Sequence, residues 1–310
     1  MINFDNREYA ILMSKLLHDT RYVEISNMGK VAGIRKHAEV LVRKILNIGS
    51  DSSLMLGEVR INSRNSAIKS GMDSLGTDLS DRLIQIVNVI NPIGRDGTHT
   101  KHIDDFTYEE VGKIEDALLD LYALIFIKYF LDYQIDIYFS PLVLHEFSFL
   151  PPIIRYKTWN YLYEKDKNNI QIVNKLCLSI IKTYNKETAY DWLEANSEEI
   201  KMIPYPTAAE KEKYIKLGGV EVAPGMYQVS LDFDRFDNIY SLLYQKISDA
   251  RTSVNESGKM YSDFEEAVKY YTDFRDLDIV DYSDEVNEFH SLMEFVFMGR
   301  KSKDELTELL

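Results

Sequence analysis

The chain has 310 residues, 45% hydrophobic and 28% charged, enough apolar material for two ordinary domains or one large one. Its formal net charge of −14 excludes broad, sequence-blind attraction to nucleic acid, so any polyanion must meet a local basic patch. A single cysteine, Cys177, excludes an intrachain disulfide and a cysteine zinc cluster; flanked by Leu176 and Leu178, it reads as a small buried hydrophobe.

The opening residues lack the basic-then-apolar design of a secretory signal, and a cytoplasmic location is the expectation. A first helix is predicted over 8–17, extending toward Tyr22. Over 33–48, Ile34, Ala38, Leu41, Val42, Ile45 and Leu46 recur at steps of three and four, which puts them on one helical stripe. Leu79, Leu83, Ile86, Val87 and Ile90 repeat that spacing over 79–90, and Pro92 is expected to limit the helix. Thr107 and Glu110 have the spacing of a capping box, in which each side chain satisfies a free backbone donor at a helix start. The helix they open is predicted to run to about residue 138. Within it the apolar run 118–131 is interrupted by Asp120 and Lys128, so it reads as a core helix and no membrane span is expected. Four helices with short connections predict an antiparallel bundle over 1–140.

Pro141 and the Pro151-Pro152 pair discourage a continuous helix and place the domain boundary at 140/141. Helices are predicted over 154–164, 169–184 and 186–200, carrying Trp159, Tyr161, Tyr163, Tyr184 and Trp192. Near 219–233, Pro224-Gly225 followed by alternating Tyr227, Val229, Leu231 and Phe233 predicts a β-hairpin. Helical spacing resumes over 238–250, 264–274 and 286–297. The predicted fold is therefore mainly α: an N-terminal four-helix bundle followed by a helical accessory or regulatory domain over 141–310 with a small β-hairpin insertion. No Walker loop, Rossmann fingerprint, nucleophile elbow or zinc-protease helix is present in the sequence.

One stretch, residues 91–102, is arranged for chemistry. Arg95, His99 and His102 fall at i, i+4 and i+7, so a helical backbone would project them to one side, and a loop would still keep them close. An arginine offers a planar, permanently charged fork for phosphate, and a histidine exchanges a proton near neutral pH. Together they can cleave RNA without a metal: the histidine activates the ribose 2′-hydroxyl, and the arginine stabilises charge on the phosphorane. Arg35, Lys36, Arg43 and Lys44 share neighbouring turns that could build the required basic strip, and Lys101 adds a further cation. The bland alternative has Arg95 bridging carboxylates and the histidines on a solvated loop. A metal site from His99, His102 and Asp104 or Asp105 lacks a distant partner motif, and no metal or cofactor is expected. His18, His37, His145 and His290 are dispersed and read as surface or hydrogen-bonded core residues.

The helix bearing Arg35-Lys36-His37-Ala38-Glu39, a polar connector, the helix to Ile90, the segment Gly94-Arg95-Asp96-Gly97-Thr98-His99-Thr100-Lys101-His102 and the Thr107 capping box together resemble a HEPN-superfamily domain of the restriction- and phage-defence-associated branch. The resemblance covers about residues 8–138. It implies a four-helix bundle and a metal-independent endoribonuclease acting as a homodimer whose paired sites share a cleft. RNase members carry an arginine, a polar residue and then a histidine after four to six intervening residues; Arg95, Asp96 and His102 match with six intervening residues. A second alignment pairs Gly94 and His99 with a glycine-asparagine-to-histidine segment, with Arg95 in place of the asparagine, so His99 and His102 both stand as the catalytic histidine. By analogy Glu39 would orient Arg95, and Arg35, Lys36 and Lys101 would contact RNA. The resemblance implies a role in bacterial antiviral defence or a toxin-like system, with a protein partner or trigger acting through the second half. The rival reading is a non-catalytic bundle that dimerises or docks onto a larger defence complex.

Overall fold

The structure, a computed structural model, describes residues 4–98, 103–228, 235–250, 262–275 and 283–307. Its helices are α1 (Asn6–Leu17), α2 (Asn27–Leu46), α3 (Ser66–Leu75), α4 (Thr77–Asp96), α5 (Tyr108–Asp132), α6 (Pro141–Phe147), α7 (Pro152–Lys165) and α8 (Ile170–Thr183). There follow α9 (Lys186–Ala195), α10 (Ser197–Lys201), α11 (Ala208–Gly218), α12 (Ile239–Asp249), α13 (Phe264–Arg275), α14 (Asp284–Phe297) and α15 (Lys303–Thr307). A two-stranded antiparallel hairpin, β1 (Val220–Ala223) and β2 (Met226–Gln228), turns at Gly225 with φ 73°. The expected mainly helical protein with a small β insertion is what the chain forms; Val229, Leu231 and Phe233 of the predicted strand lie outside the described residues. No helix among the described residues is long and apolar enough to cross a membrane.

Two compact units arise. The first joins residues 1–129 with 263–310, and the second is 130–262. The chain thus leaves the first unit inside α5, ahead of the 140/141 break expected from its prolines, and returns to it at α13.

In the first unit each helix start is chemically specified. Asp5 accepts from the Arg7 N–H at 2.9 Å to cap α1, which runs on as a π-helical turn over His18–Tyr22. Ser26 caps α2, which ends where Asn47 takes φ 53°, the left-handed geometry that closes a helix. The α3 helix was not foreseen in the polar connector; Asn65 caps it by accepting from Ala67 and Ile68, and its short apolar stripe is Ile68, Met72 and Leu75. The capping box forms as expected: Thr107 N–H donates to Glu110 at 2.9 Å and Glu110 N–H donates to Thr107 Oγ1 at 3.2 Å. The α5 helix stops at Asp132, short of the predicted residue 138, and Gln134 beyond it has φ 36°.

Pro92 does not stop α4, which continues to Asp96. The carbonyl that loses its donor belongs to Asn88, and both Asn88 and Pro92 are exposed, so water can replace the missing bond. In this unit α2 and α4 pack on each other, His37 of α2 bonds Tyr122 of α5, Arg82 of α4 pairs with Asp120 of α5, and α14 packs on α5 in turn. Phe289 meets Phe126 and Tyr129 with ring centroids 5.7 and 4.9 Å apart, and Tyr129 donates to the Glu285 carbonyl at 3.0 Å.

In the second unit, Phe130, Phe147 and Trp159 form an aromatic cluster with centroids 4.8 to 5.3 Å apart. The α7 and α8 helices are joined by four residues, 166–169, and form an antiparallel pair. Asn169 closes the turn: its Oδ1 accepts from Gln171 and Ile172, and its Nδ2 donates to the Ile135 carbonyl at 2.7 Å. Cys177 is fully buried, and that burial pushes its thiol up to about 12, so it is the inert small hydrophobe expected.

Candidate functional site

The last turn of α4 places Arg95. Gly94 is buried against α2, where a Cβ would come within 2.7 Å of the Arg35 side chain, and a Cβ on Gly97 would meet Val31 at 2.7 Å. The absence of side chains at these two positions lets the helices approach closely, and it turns the intervening Arg95 to solvent. Its side chain is 59% exposed and its Nε lies 3.5 Å from the Asp96 carboxylate. Thr98 seals the turn by donating from Oγ1 and N–H to the Arg95 carbonyl at 2.8 and 3.0 Å.

On the other side of the segment, Asp105 binds the first turn of α2, accepting from Asn27 N–H at 3.3 Å and Met28 N–H at 2.7 Å. A carboxylate at a helix N-terminus satisfies free donors and the positive end of the dipole. Asn27 Nδ2 also donates to the Phe106 carbonyl at 2.6 Å. Both described flanks of the Arg/His segment are therefore tied to α2. His99, Lys101 and His102 lie outside the described residues.

The basic strip predicted on α2 divides by role. Arg35 pairs with Glu39 at 3.3 Å, its stem lying over Gly94, and Lys36 is exposed. Burial raises the Glu39 carboxyl from its usual range, opposed by Arg35, Arg43 and Lys36. Glu39 thus has Arg35 as its ion-pair partner, while Arg95 has Asp96. Arg43 donates to the Gly49 and Ser52 carbonyls at 2.8 and 2.9 Å and so fastens the loop after α2. Lys44 donates to Asn6 at 3.0 Å between the rings of Phe4 and Phe295, and burial pushes it down to about 8. Arg35, whose stem lies over Gly94, is the α2 cation beside the last turn of α4. Among the described residues no group of three His, Cys, Asp or Glu is placed to hold a metal ion.

Sequence reasoning missed a buried polar network in the same unit. His37, 3% exposed, shares a 2.8 Å hydrogen bond with the Tyr122 hydroxyl. Arg300 donates to that hydroxyl at 2.9 Å and to the Val296 carbonyl at 2.8 Å. Its guanidinium lies 3.4 Å from the Phe264 ring centre and 3.6 Å from the Glu265 carboxylate. Tyr22 donates to Glu265 at 3.1 Å and accepts from the Lys301 N–H at 3.1 Å. Burial, then the charges of Arg300 and Arg21, depress His37 to about 3, so it is neutral. No local spacing marks these residues, because they come from five separate places in the chain.

Protein-family models, curated proteins and solved structures were all compared with the chain, and none matches.

Proposed function

We propose that the chain is a metal-independent endoribonuclease of the HEPN type. The supporting observation is the placement of Arg95: a guanidinium held at the solvent end of a helix whose preceding glycine is locked against Arg35, next to the histidine segment in sequence. In this reading Arg95 binds the scissile phosphate and stabilises its developing charge. His102 or His99 takes the 2′-hydroxyl proton, the 2′-oxygen attacks phosphorus, and the 5′-oxygen leaves with a proton, giving a cyclic phosphate and a 5′-hydroxyl. Asp96 holds Arg95, Arg35 and Lys36 with Lys101 attract the RNA backbone, and Glu39 acts on Arg35. Two copies share the cleft. A cytoplasmic role in antiviral defence or a toxin-like system, with a partner or trigger engaging the second half, follows from the HEPN resemblance.

The interaction-module reading has one observation in its favour. Ile103 and Tyr108, just beyond the histidines, are 87% and 86% exposed, as large apolar side chains are when a partner covers them.

The test is cleavage of total RNA and tRNA in excess EDTA. Cutting by the wild type should fall about 100- to 1000-fold in Arg95→Ala and in one of His99→Ala or His102→Ala, at matched folding. No cutting by any form, together with a dimer or complex that Ile103→Asp dissociates, would replace the nuclease with the docking module.

A further inference from the structure

In the second unit α9 and α12 pack antiparallel, and three side-chain contacts fix their register. Lys186 donates to the Ser248 carbonyl at 2.9 Å, the Tyr190 ring lies 5.1 Å from that of Tyr244, and Tyr240 donates to Glu194 at 2.9 Å. Each step runs four residues forward on α9 and four back on α12, about one turn apiece. Tyr240 and Tyr244 also lie ring to ring, 6.4 Å apart and 25° from parallel. Three tyrosines from two helices thus line one seam. Tyr244 is 52% exposed, and Tyr190 and Tyr240 are half-buried, so the seam reaches the surface.

The α9 side of this seam is acidic. Glu187 stands three residues before Tyr190 and Glu194 four after it, which puts the three on one flank of the helix, and Asp191 follows Glu187 by one turn. All three acids are exposed, and among the described residues no cation pairs with Glu187 or Asp191. Other exposed helices answer an acid with a base four residues on, as Glu109 with Lys113 and Glu212 with Lys216. Here Glu187 is answered by Asp191, and like charges at that spacing repel. The nearby lysines are engaged: Lys186 on the Ser248 carbonyl, and Lys201 with its ammonium 4.4 Å from the centre of the Tyr240 ring. That last contact is a cation on the aromatic seam supplied by the chain itself.

We propose that the α9–α12 seam is a docking site for an arginine-rich segment of a partner protein. A guanidinium stacks on a tyrosine ring and forks onto a carboxylate, so the exposed Tyr244 ring with Glu187 and Asp191 offers both parts of its chemistry. Charge selects this occupant. Nucleic-acid bases suit the rings, but the phosphates between them would meet three carboxylates. A second copy brings its own net charge of −14. The inference rests on the reading that a partner engages the second half, and it is independent of cleavage at Arg95.

Fluorescence anisotropy with the full chain near neutral pH and low salt tests it. The labelled probes are a peptide alternating arginine with serine, its lysine counterpart, and single-stranded RNA. The arginine peptide should bind more tightly than the lysine peptide, and salt should weaken both. Tyr244→Ala, which changes no charge, should weaken arginine-peptide binding about tenfold, and Tyr244→Phe should restore it. The Glu187→Gln/Asp191→Asn variant should also weaken it about tenfold. An equal change of net charge elsewhere, Glu109→Gln/Glu212→Gln, should leave it as in the wild type. Equal losses in the two charge variants would mean attraction to the acidic chain as a whole and would overturn the proposal. Wild-type affinity in Tyr244→Ala, or binding of neither peptide, overturns it too. RNA binding or self-association that Tyr244→Ala abolishes, without peptide binding, assigns the seam to that occupant instead. Each of these outcomes is read by binding, so a failure here leaves the cleavage test of Arg95 standing.

Discussion

Arg300 buries a guanidinium whose side chain is 1% exposed, and its carboxylate partner Glu265 is 9% exposed. Removing one member of such a pair strands the other, so Arg300→Leu should cost about 3–5 kcal/mol in urea unfolding. The Arg300→Leu/Glu265→Leu double variant should recover much of that loss, and equal or worse stability would show that the pair is not coupled. His37 adds a pH signature. Its folded value near 3 lies below the ordinary 6.5, so between these values the unfolded chain holds the extra proton and stability falls as the pH falls. The contribution is whole above about 6.5 and is lost toward 3, at about 1.4 kcal/mol per pH unit. In His37→Phe that part of the slope should disappear, as read from urea midpoints at several pH values. The sequence marks His37 only as a dispersed histidine, because its partners are assigned by tertiary packing and not by spacing.

The helices were legible where one turn of chain carries the signal. The capping box at Thr107 and the stripes of α2 and α4 needed only periodicity and local donor chemistry. Pro92 misled because its penalty depends on whether the orphaned carbonyl faces water, which is a property of the folded surface. The same limit applies to Arg95: its position in a chemically suggestive stretch could be read, but its outward presentation rests on Gly94 and Gly97 meeting α2. A methyl group at Gly94 would sit 2.7 Å from the Arg35 side chain. Gly94→Ala should therefore cost about 1–3 kcal/mol of stability and shift Arg35 off the helix crossing. An unchanged denaturation midpoint would mean that the approach of α2 and α4 is looser than described.

The first unit is assembled from two stretches of chain, 1–129 and 263–310. Proline density identified a break in the helical pattern, but not the return of the chain, which only the partners of Phe289, Phe264 and Arg300 reveal. A chain ending at residue 262 should keep slow hydrogen exchange in α7 and α8 and lose it in α2 and α5, whose core side chains Tyr122, Phe126 and Tyr129 would lose their cover. Protection of α5 at wild-type levels would show that 1–129 is a self-sufficient bundle. Tyr22 and Glu265 close their bond across a sequence separation of 243, a large loop-closure cost that slows folding of this unit. During synthesis on the ribosome, the second unit emerges whole before α13 and α14 exist, so it is free to fold first. The N-terminal helices must wait, carrying uncovered aromatic surface for the time taken to translate more than 130 codons. If the Arg95 end is a nuclease, this order of assembly delays its completion until α13 and α14 are made.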